Sequence, residues 1–338
     1  MRIVLIGAVL CGAAAIAGCQ PLQYTGVNLA GGDFYDPVKV AEPVFGTNFI
    51  YPNKAEFEYF AAKGMNVFRL PFMWETIQPK AKGPFREAEI ARLKAVVKTG
   101  TDMGLTVLLD PHNYARYYGK VVGGPEVGID AFADLWGKLA AEFANDEHVW
   151  FGLVNEPHDM PTEQWLNAAN AAIAAIRSAG AKNLILVPGN AWTGASGWLG
   201  DWYGGANGTW MLKIEDPADN YAYEVHQYLD SDGSGSHPEV VSATIGSERL
   251  KAFVQWCRDH KKRAFLGEFG TGVGDMQKQA IEDMLSAMER DRDVWLGWTW
   301  WAAGAWWGEY MFTLEPKDGK DRPQMEWLQK HLQKTVAK

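Results

Sequence analysis

Residues Val149–His158 read VWFGLVNEPH, an apolar run that ends abruptly in an amide, a carboxylate and a proline. A short run rich in aromatic and β-branched residues is typical of a strand buried on both faces, as in a parallel sheet covered by helices. Pro157 cannot donate a ladder hydrogen bond and restricts the backbone of Glu156, so the strand must end about there. The pattern predicts Asn155 and Glu156 at the carboxyl end of a buried strand.

A second stretch, Ala264–Gly270, repeats this arrangement, since its sequence AFLGEFG runs apolar residues into Glu268. Taken alone, an Asn-Glu-Pro tripeptide is more often a strand end that merely faces water. Two carboxylates, each at the end of its own buried strand, are what the cleavage of a glycosidic bond requires.

The composition excludes some functional classes and leaves others open. A chain of 338 residues with 47% hydrophobic content can bury a large core, either as one barrel or as two ordinary domains. A net charge of −9 offers no basic surface, so we expect no nucleic-acid partner. The 16 tryptophans stand out, but tryptophan serves both as a sugar platform and as a core residue, so their number alone decides little.

The N-terminus has the pattern of a processed export signal. Arg2 precedes the apolar stretch Ile3–Ala17, which is short for a membrane span. The stretch ends in Ile-Ala-Gly-Cys, which resembles the lipobox of bacterial lipoproteins and implies cleavage before Cys19 with a lipid on its thiol. Gln20 then favours the outer membrane or cell surface. The alternative is an ordinary secretory cleavage that yields a periplasmic or secreted protein.

We therefore divide the chain into a signal peptide at 1–18, a lipidated cysteine with a short tether at 19–23, and a catalytic domain at 24–338. Cys257 is the single cysteine of that domain. An exported domain with one thiol forms no internal disulfide, so its core must be stable without one.

Past the tether, strand-like and helix-like runs alternate without a low-complexity linker. The predicted strands are 24–29, 66–70, 106–110, 149–154, 183–187, 221–226, 264–270 and 294–301. The predicted helices are 53–63, 86–103, 130–144, 163–178, 247–260, 276–290 and 324–335. About eight strands separated by helices favour an α/β fold, a single (β/α)8 barrel. A doubly wound sheet is the alternative, weakened in its dinucleotide-binding form because no G-x-G-x-x-G follows the first strand.

One segment, Gly189–Asp219, is rich in Gly, Trp and Asn and shows no clear helix. It predicts a long loop that helps to wall the site.

Polar side chains stand where the predicted strands end. The carboxyl ends of barrel strands meet at one rim, which is the face where active sites lie. Each residue could be structural by itself, but their joint occurrence predicts a site. The residues are Arg69, His112, Asn155, Glu156, His226, Tyr228, Glu268 and Trp301.

Motifs around these residues run in order along the chain. They are GVNLAG (26–31), FRLPF (68–72), LDPHNYARY (109–117), VNEPH (154–158), LVPGNAWTG (186–194), EVHQYLD (224–230), FLGEFG (265–270), GWTWWAAGAWWG (297–308) and YMFTLEP (310–316). Together they resemble glycoside hydrolase family 5 of clan A, and within it the bacterial and fungal endo-β-1,4-glucanases. At matching positions the resemblance implies that Glu156 is the acid/base and Glu268 the nucleophile. It also implies a supporting shell of Arg69, His112, Asn155, His226, Tyr228 and Trp301.

The physical requirements of such a reaction agree with these roles. We expect Tyr228 and Arg69 to keep Glu268 ionised. The pKa of Glu156 should be high while Glu268 is free and lower once Glu268 is glycosylated. Asn155 suits a hydrogen bond to the sugar 2-hydroxyl. The chemistry predicts retention, with carboxyl groups about 5 Å apart, and needs no metal or organic cofactor.

Aromatic side chains near the rim are candidates for sugar binding. Trp301 is expected to floor the subsite next to the cleaved bond. Ordinary packing is the alternative for the other candidates, which are Asn113, Trp192, Trp306, Trp307 and Trp74.

We expect a monomeric enzyme that hydrolyses internal β-1,4 bonds of cellulose-type or mixed-linkage glucans, touching the membrane only through a lipid on Cys19. A related β-glycanase or transglycosylase acting on mannan or xyloglucan would share every catalytic residue. A non-catalytic glycan-binding lipoprotein would have no reason to keep both glutamates.

Overall fold

The computed structural model describes residues 20–334, so the predicted signal peptide (1–18) and Cys19 lie outside it. In the described part, eight parallel strands close into a barrel in which each strand pairs with the next along the chain and the last pairs with the first. This confirms the predicted (β/α)8 barrel. An open doubly wound sheet is excluded because the barrel has no edge strand.

The barrel strands are almost entirely buried, because one face of each lines the barrel interior and the other meets the helices. A separate two-stranded hairpin, Arg116–Tyr117 with Lys120–Val121, lies in the loop that follows the third barrel strand. The barrel strands are β1 Tyr24–Leu29, β2 Val67–Phe72, β3 Thr106–Pro111, β4 Val149–Gly152, β5 Ile185–Pro188, β6 Tyr221–His226, β7 Ala264–Glu268 and β8 Trp295–Ala303.

The helices pack their apolar faces on the outside of the barrel. The first is capped by Asn53, whose side chain accepts from the Ala55 amide while Glu56 accepts from the Asn53 amide. In the described residues no helix is long and apolar enough to cross a membrane. The helices are α1 Lys54–Ala62, α2 Glu87–Thr101, α3 Ile129–Phe143, α4 Thr162–Ser178, α5 Ile245–Asp259, α6 Asp275–Arg290 and α7 Pro323–Leu328.

The predicted loop 189–219 contains helical turns that the sequence did not reveal. They span Ala191–Thr193, Asn207–Trp210 and Met211–Lys213. Turns of three or four residues are too short for a helical period to show in the pattern of apolar residues.

The closing helix predicted over 324–335 is shorter in the structure. It ends at Leu328 and continues only as the 3-10 turn Gln329–His331, while Thr335 lies outside the described residues. Beyond the turn the chain packs against the start of the barrel, where the Gln333 side-chain amide donates to the Leu22 carbonyl over 2.6 Å. Leu22 is buried, so the predicted tether is docked from that residue onward.

The barrel interior divides into an apolar part and a charged part. Seven residues, one from each of seven strands, form a separate apolar cluster: Val67, Leu108, Trp150, Leu186, Ala222, Phe265 and Leu296. Charged side chains follow farther along the same strands, among them Arg69, Asp110 and Glu268, all buried. The charged part therefore lies toward the carboxyl ends of the strands, where barrel enzymes place their chemistry.

Gly26 in β1 is a position of very close strand contact. A Cβ atom built there would lie 1.6 Å from the backbone oxygen of Val67 in β2. Gly26→Ala should therefore push two paired strands apart and lower the free energy of unfolding by about 3 kcal/mol, the upper end of the usual cost of overpacking.

The matched control is Gly137→Ala in the middle of α3, where the nearest atom would be 3.6 Å from the new Cβ. There alanine should raise the free energy of unfolding by about 0.5–1 kcal/mol, because it stabilises a helix relative to glycine. Urea unfolding of both variants measures the difference. Equal stability of the two would show that β1 accommodates a side chain at this point.

Candidate active site

Glu156 and Glu268 meet at the carboxyl end of the barrel. One carboxylate oxygen of each, together with a ring nitrogen of His226, lie within 4.8 Å of one another. Glu268 ends β7 and is buried, whereas the Glu156 side chain is 16% exposed beyond the end of β4. Glu156 also has a φ of 40°, an uncommon left-handed conformation for a side chain of this size. Such strained positions are frequent at functional sites.

Both oxygens of Glu268 are held by donors. Arg69 Nη1 donates to Oε1 over 2.9 Å, and the Tyr228 hydroxyl donates to Oε2 over 2.7 Å. Burial alone would raise the pKa of this carboxyl. The charges of His226, Arg69 and His112, with the hydrogen bond from Tyr228, outweigh burial and lower the pKa below its usual range. Glu268 is therefore ionised near neutral pH although it is inside the protein.

Arg69 is fully buried, and Glu268 is not the only carboxylate whose charge it balances. Its guanidinium also lies 2.9 Å from Asp110 Oδ2 and 2.8 Å from Glu224 Oε1. Burial opposes its charge, but the three carboxylates raise the pKa of Arg69 above its ordinary value. Asp110 and Glu224 are not among the residues predicted from the sequence. The available signal was a charged residue inside an otherwise apolar strand, which does not by itself show that the side chain faces the barrel interior.

His226 connects the two glutamates. Its Nδ1 lies 2.7 Å from Glu156 Oε1 and 3.6 Å from Glu268 Oε2, while Nε2 lies 3.4 Å from Glu224 Oε1. Burial would lower the pKa of His226, but the charge of Glu268 and the hydrogen bonds to Glu156 and Glu224 raise it to about 10. The imidazole is therefore positively charged near neutral pH and in direct contact with Glu156.

Asn155 and His112 are fixed by the same charged network. Arg69 Nη2 donates to Asn155 Oδ1 over 2.8 Å, which sets the orientation of the amide. His112 Nδ1 lies 2.8 Å from Asp110 Oδ2. The His112 ring stacks on Trp301 with centroids 5.2 Å apart and planes 17° apart. All eight strand-end residues predicted from the sequence therefore lie in one connected group.

Two cavities flank this group. The first, of about 340 Å³, is lined by Trp301, His112 and Asn113 among others. The Asn113 side chain makes its hydrogen bonds within the protein, since it accepts from the Trp74 amide and donates to Glu75. The second cavity, of about 540 Å³, is lined by Glu156 and by the loop that carries Trp192. Tyr114, inside a quoted motif but not singled out, lines both.

Trp192 stands at the second cavity on a left-handed turn, since Ala191, Trp192 and Thr193 all have φ between 49° and 54°. Its ring stacks on His158 with centroids 4.6 Å and planes 8° apart, and 44% of Trp192 remains exposed. Trp202, which the sequence analysis missed, lines the same cavity and is 54% exposed. The Gly- and Trp-rich loop therefore borders the site.

The other predicted tryptophans are placed differently. Trp307 packs edge-on against Trp301 and stacks on Tyr310, so it supports Trp301 from behind. Trp306 is 38% exposed and lines a separate surface cavity of about 560 Å³ with Phe34.

The prediction that Trp74 lines the substrate rim is wrong. Trp74 starts a short helical turn, Trp74–Ile77, whose residues are all buried. Its ring is 1% exposed, packs on Tyr117 and donates from Nε1 to Gln78 over 2.8 Å. A buried indole with its N–H satisfied is a core residue.

An eight-stranded parallel barrel that presents two close glutamates at its carboxyl end has the arrangement used by retaining glycoside hydrolases. The family model for cellulase (glycosyl hydrolase family 5) matches residues 17–304. The chain therefore belongs to glycosyl hydrolase family 5.

Named relatives and solved structures are similar over most of the chain. The endo-beta-1,4-glucanase B of Aspergillus niger is 42% identical over 298 residues, which cover 88% of this chain and 86% of the relative. An endo-beta-1,4-glucanase structure from Xanthomonas axonopodis pv. citri has a TM-score of 0.89 at 46% identity, covering 92% of this chain and 98% of its own. The Pseudomonas stutzeri endoglucanase Cel5A in complex with cellobiose has a TM-score of 0.85 at 35% identity, covering 93% of each chain.

Arg69→Met should lower the free energy of unfolding by about 3–5 kcal/mol near neutral pH, because it leaves buried carboxylates without a counter-ion. Glu224 and Glu268 have lowered pKa values in the folded protein, so they stabilise it above their unfolded pKa values and lose that contribution as the pH falls. The difference between wild type and variant should therefore begin to shrink only as the pH falls below about 4.

Arg258→Met is the control, since Arg258 pairs with Asp291 and Asp293 at the surface over 2.7 and 2.8 Å. Its loss should cost less than about 1 kcal/mol. Urea unfolding near neutral pH and below about pH 4 measures the free energy of unfolding of the wild type and of both variants. A cost for Arg69→Met as small as that of Arg258→Met would show that the buried network is not held by this arginine.

Proposed function

We propose that the chain is a retaining endo-β-1,4-glucanase that cleaves internal bonds of cellulose-type or mixed-linkage β-glucans. The observation that carries the proposal is the pair of carboxylates, Glu156 and Glu268, with oxygens within 4.8 Å. This supports the separation of about 5 Å between carboxyl groups that double displacement uses, rather than the separation of about 6.5–9.5 Å in inverting enzymes. The relatives named endo-beta-1,4-glucanase support the choice of substrate.

In the first step, Glu268 attacks the anomeric carbon while Glu156 donates a proton to the leaving oxygen. The bond between the carbon and the leaving oxygen breaks as the ester with Glu268 forms. Arg69 and Tyr228 keep Glu268 ionised for the attack. Asn155, oriented by Arg69, is placed to meet the sugar 2-hydroxyl.

His226 supplies the proton that Glu156 passes on. The two side chains share a hydrogen bond of 2.7 Å, and the pKa of about 10 keeps His226 protonated in the free site. The charge of Glu268 is the main attraction that raises this pKa. Forming the ester removes that charge, so the pKa of His226 falls when the proton is needed on the leaving group.

In the second step, a water molecule attacks the anomeric carbon. Glu156, now a carboxylate, takes a proton from the water and returns it to His226, and the ester bond to Glu268 breaks to restore the Glu268 carboxylate. Side chains supply the nucleophile and every proton transfer, so the proposed reaction requires neither a metal nor an organic cofactor.

The two cavities support cleavage within a chain rather than at its end. Trp301 lines the smaller cavity, Glu156 lines the larger one with Trp192 and Trp202, and Tyr114 lines both. A polymer that fills both cavities places an internal bond at the catalytic pair. Aromatic rings that are partly exposed suit the apolar faces of glucosyl units.

The cleft is complete within one chain, which supports a monomer acting on a β-glucan polysaccharide or oligosaccharide. A related β-glycanase or transglycosylase would use the same catalytic pair, and substrate profiling separates these activities.

Glu268→Gln should lower the release of reducing sugar by at least about a thousandfold, because the amide is not a nucleophile. Residues 20–338 would be assayed on carboxymethylcellulose, barley β-glucan, xyloglucan and glucomannan. Glu163→Gln, an exposed acid at the start of α4, is the matched control and should keep full activity. Activity only on xyloglucan or glucomannan would replace the glucanase proposal. No activity from folded wild type on any of the four would overturn it.

A small anion separates the roles of the two glutamates. In Glu156→Ala, azide should restore turnover of an aryl cellobioside with a good leaving group, because it attacks the ester without a general base. The same addition should not rescue Glu268→Ala with retention.

We also propose that the protein is exported and anchored by a lipid on Cys19. The apolar stretch that ends in Ile-Ala-Gly-Cys supports this assignment. The docking of Leu22 leaves at most three residues between the lipid and the barrel, which suits a protein held at the membrane surface.

Expression of the full chain in a bacterial host tests the anchor. The wild type should fractionate with membranes and carry the mass of a diacylglycerol and an acyl chain on residue 19, whereas Cys19→Ser should lose both properties and keep its specific activity. A mature wild-type chain without added lipid mass would favour ordinary secretion.

A further inference from the structure

The loop 230–237 folds around a buried carboxylate. Asp230 is 3% exposed and accepts from the Gly235 amide over 3.1 Å and from the Ser236 amide over 3.2 Å. The Ser234 hydroxyl donates to it over 3.1 Å. These bonds tie both ends of the loop together, so its tip cannot move freely away from the barrel.

Gly235 lies directly against the ring of Tyr228. A Cβ atom at this glycine would stand 2.7 Å from Cδ1 and Cγ and 2.8 Å from Cε1 of the ring. Carbon atoms in proteins do not approach so closely, so only glycine permits this contact. Its φ of 71° is a second reason for glycine at this position.

Tyr228 is also held from other directions. Arg249 donates from Nη1 to the Tyr228 carbonyl over 2.6 Å and from Nη2 to the Asp230 carbonyl over 2.7 Å. The ring stacks with Phe312 at a centroid distance of 6.2 Å. These contacts hold the backbone of Tyr228 and one side of its ring. The contact of the ring with Gly235 then determines whether the hydroxyl reaches Glu268.

We propose that Gly235, held in place by Asp230, is a positioning residue that seats Tyr228 against the nucleophile Glu268. The assignment rests on the proposed function for its kinetic consequences, but not for its geometry. Through this contact the loop that borders the larger cavity with Gly233 and Ser234 also supports one of the hydrogen bonds to Glu268.

The other charged groups that face Glu268 and Tyr228 lie outside the loop 230–237, which itself carries Asp230, Asp232 and His237. Glu268 is faced by Arg69 from β2, His112 from beyond β3, and Glu224 and His226 from β6. Tyr228 is faced by Glu268, Tyr310 and Glu156. The direct contact between Gly235 and the groups around Glu268 is with the Tyr228 ring, so a change at Gly235 reaches Glu268 first through the tyrosine hydroxyl.

The experiment compares Gly235→Ala with Gly233→Ala. Both glycines have a positive φ, 71° and 72°, so both substitutions strain the same loop. At Gly233 the nearest atom would be 3.7 Å from the new Cβ, on Arg249, so that variant adds strain without a clash.

In a crystal structure of Gly235→Ala, the Tyr228 hydroxyl should move out of hydrogen-bond distance of Glu268, from its present 2.7 Å. A hydroxyl still in place, with the loop displaced instead, would overturn the proposal. This result does not depend on whether the protein degrades glucan.

In kinetics, Gly235→Ala should move the acidic limb of kcat/KM toward higher pH by about half a pH unit or more and lower kcat about tenfold, because Glu268 loses a donor. Tyr228→Phe should shift the limb in the same direction, and the double variant should add little to it. Gly233 also borders the larger cavity, so Gly233→Ala can change KM, but the acidic limb of its kcat/KM profile should stay at the wild-type pH. Equal limbs for Gly233→Ala and Gly235→Ala would contradict the proposal while leaving the glucanase function intact.

Asp230→Asn provides a second route if Gly235→Ala does not fold. It replaces one acceptor oxygen by an NH2 group that cannot accept from Ser236. The loop is then held less firmly against Tyr228, although Gly235 itself is unchanged. A smaller shift of the acidic limb of kcat/KM in the same direction supports the proposed role of Gly235. An unchanged acidic limb contradicts it.

Discussion

The site depends on one buried charge, the guanidinium of Arg69. Asp110, Glu224 and Glu268 each lie within 2.9 Å of it, inside a barrel where unpaired carboxylates would otherwise take up protons. A buried ion network of this kind gives little net stability, because desolvation offsets much of the attraction. Its value is chemical, since it keeps Glu268 ionised where bulk water does not reach it.

The two glutamates owe their different behaviour to their surroundings. Glu268 is buried between an arginine and a tyrosine that both donate to it. Glu156 stands partly exposed on a strained backbone, with a histidine as its hydrogen-bond partner. One environment surrounds an anion with donors, and the other leaves a partly exposed carboxyl group beside a histidine. Two identical side chains can therefore take opposite roles in one reaction.

Much of the barrel was predictable because its strands are buried on both faces and end in recognisable polar residues. The strand-end group from Arg69 to Trp301 was found in this way, and the structure brings all of it together. Asp110 and Glu224 were not found, because a polar residue inside an apolar strand gives no sign of which face it occupies. Trp74 was misplaced because sequence does not reveal that a four-residue helical turn buries its ring. Trp202 was missed because it lies in an irregular loop. Such a loop lacks the regular spacing of apolar residues that shows, in a helix or strand, which way a side chain points.

The docking of Leu22 beside the start of β1 sets the direction in which the cleft faces. The chain enters the barrel at the amino-terminal ends of the strands, and Glu156 and Glu268 lie at the opposite end. With Cys19 acylated as proposed, three residues of chain span at most about 10 Å. The end of the barrel that holds the amino-terminal ends of the strands would then face the membrane. The cleft would then open outward into the medium. A polymer far too large to approach a lipid surface closely could still enter it, and the short fragments would be released within reach of the cell.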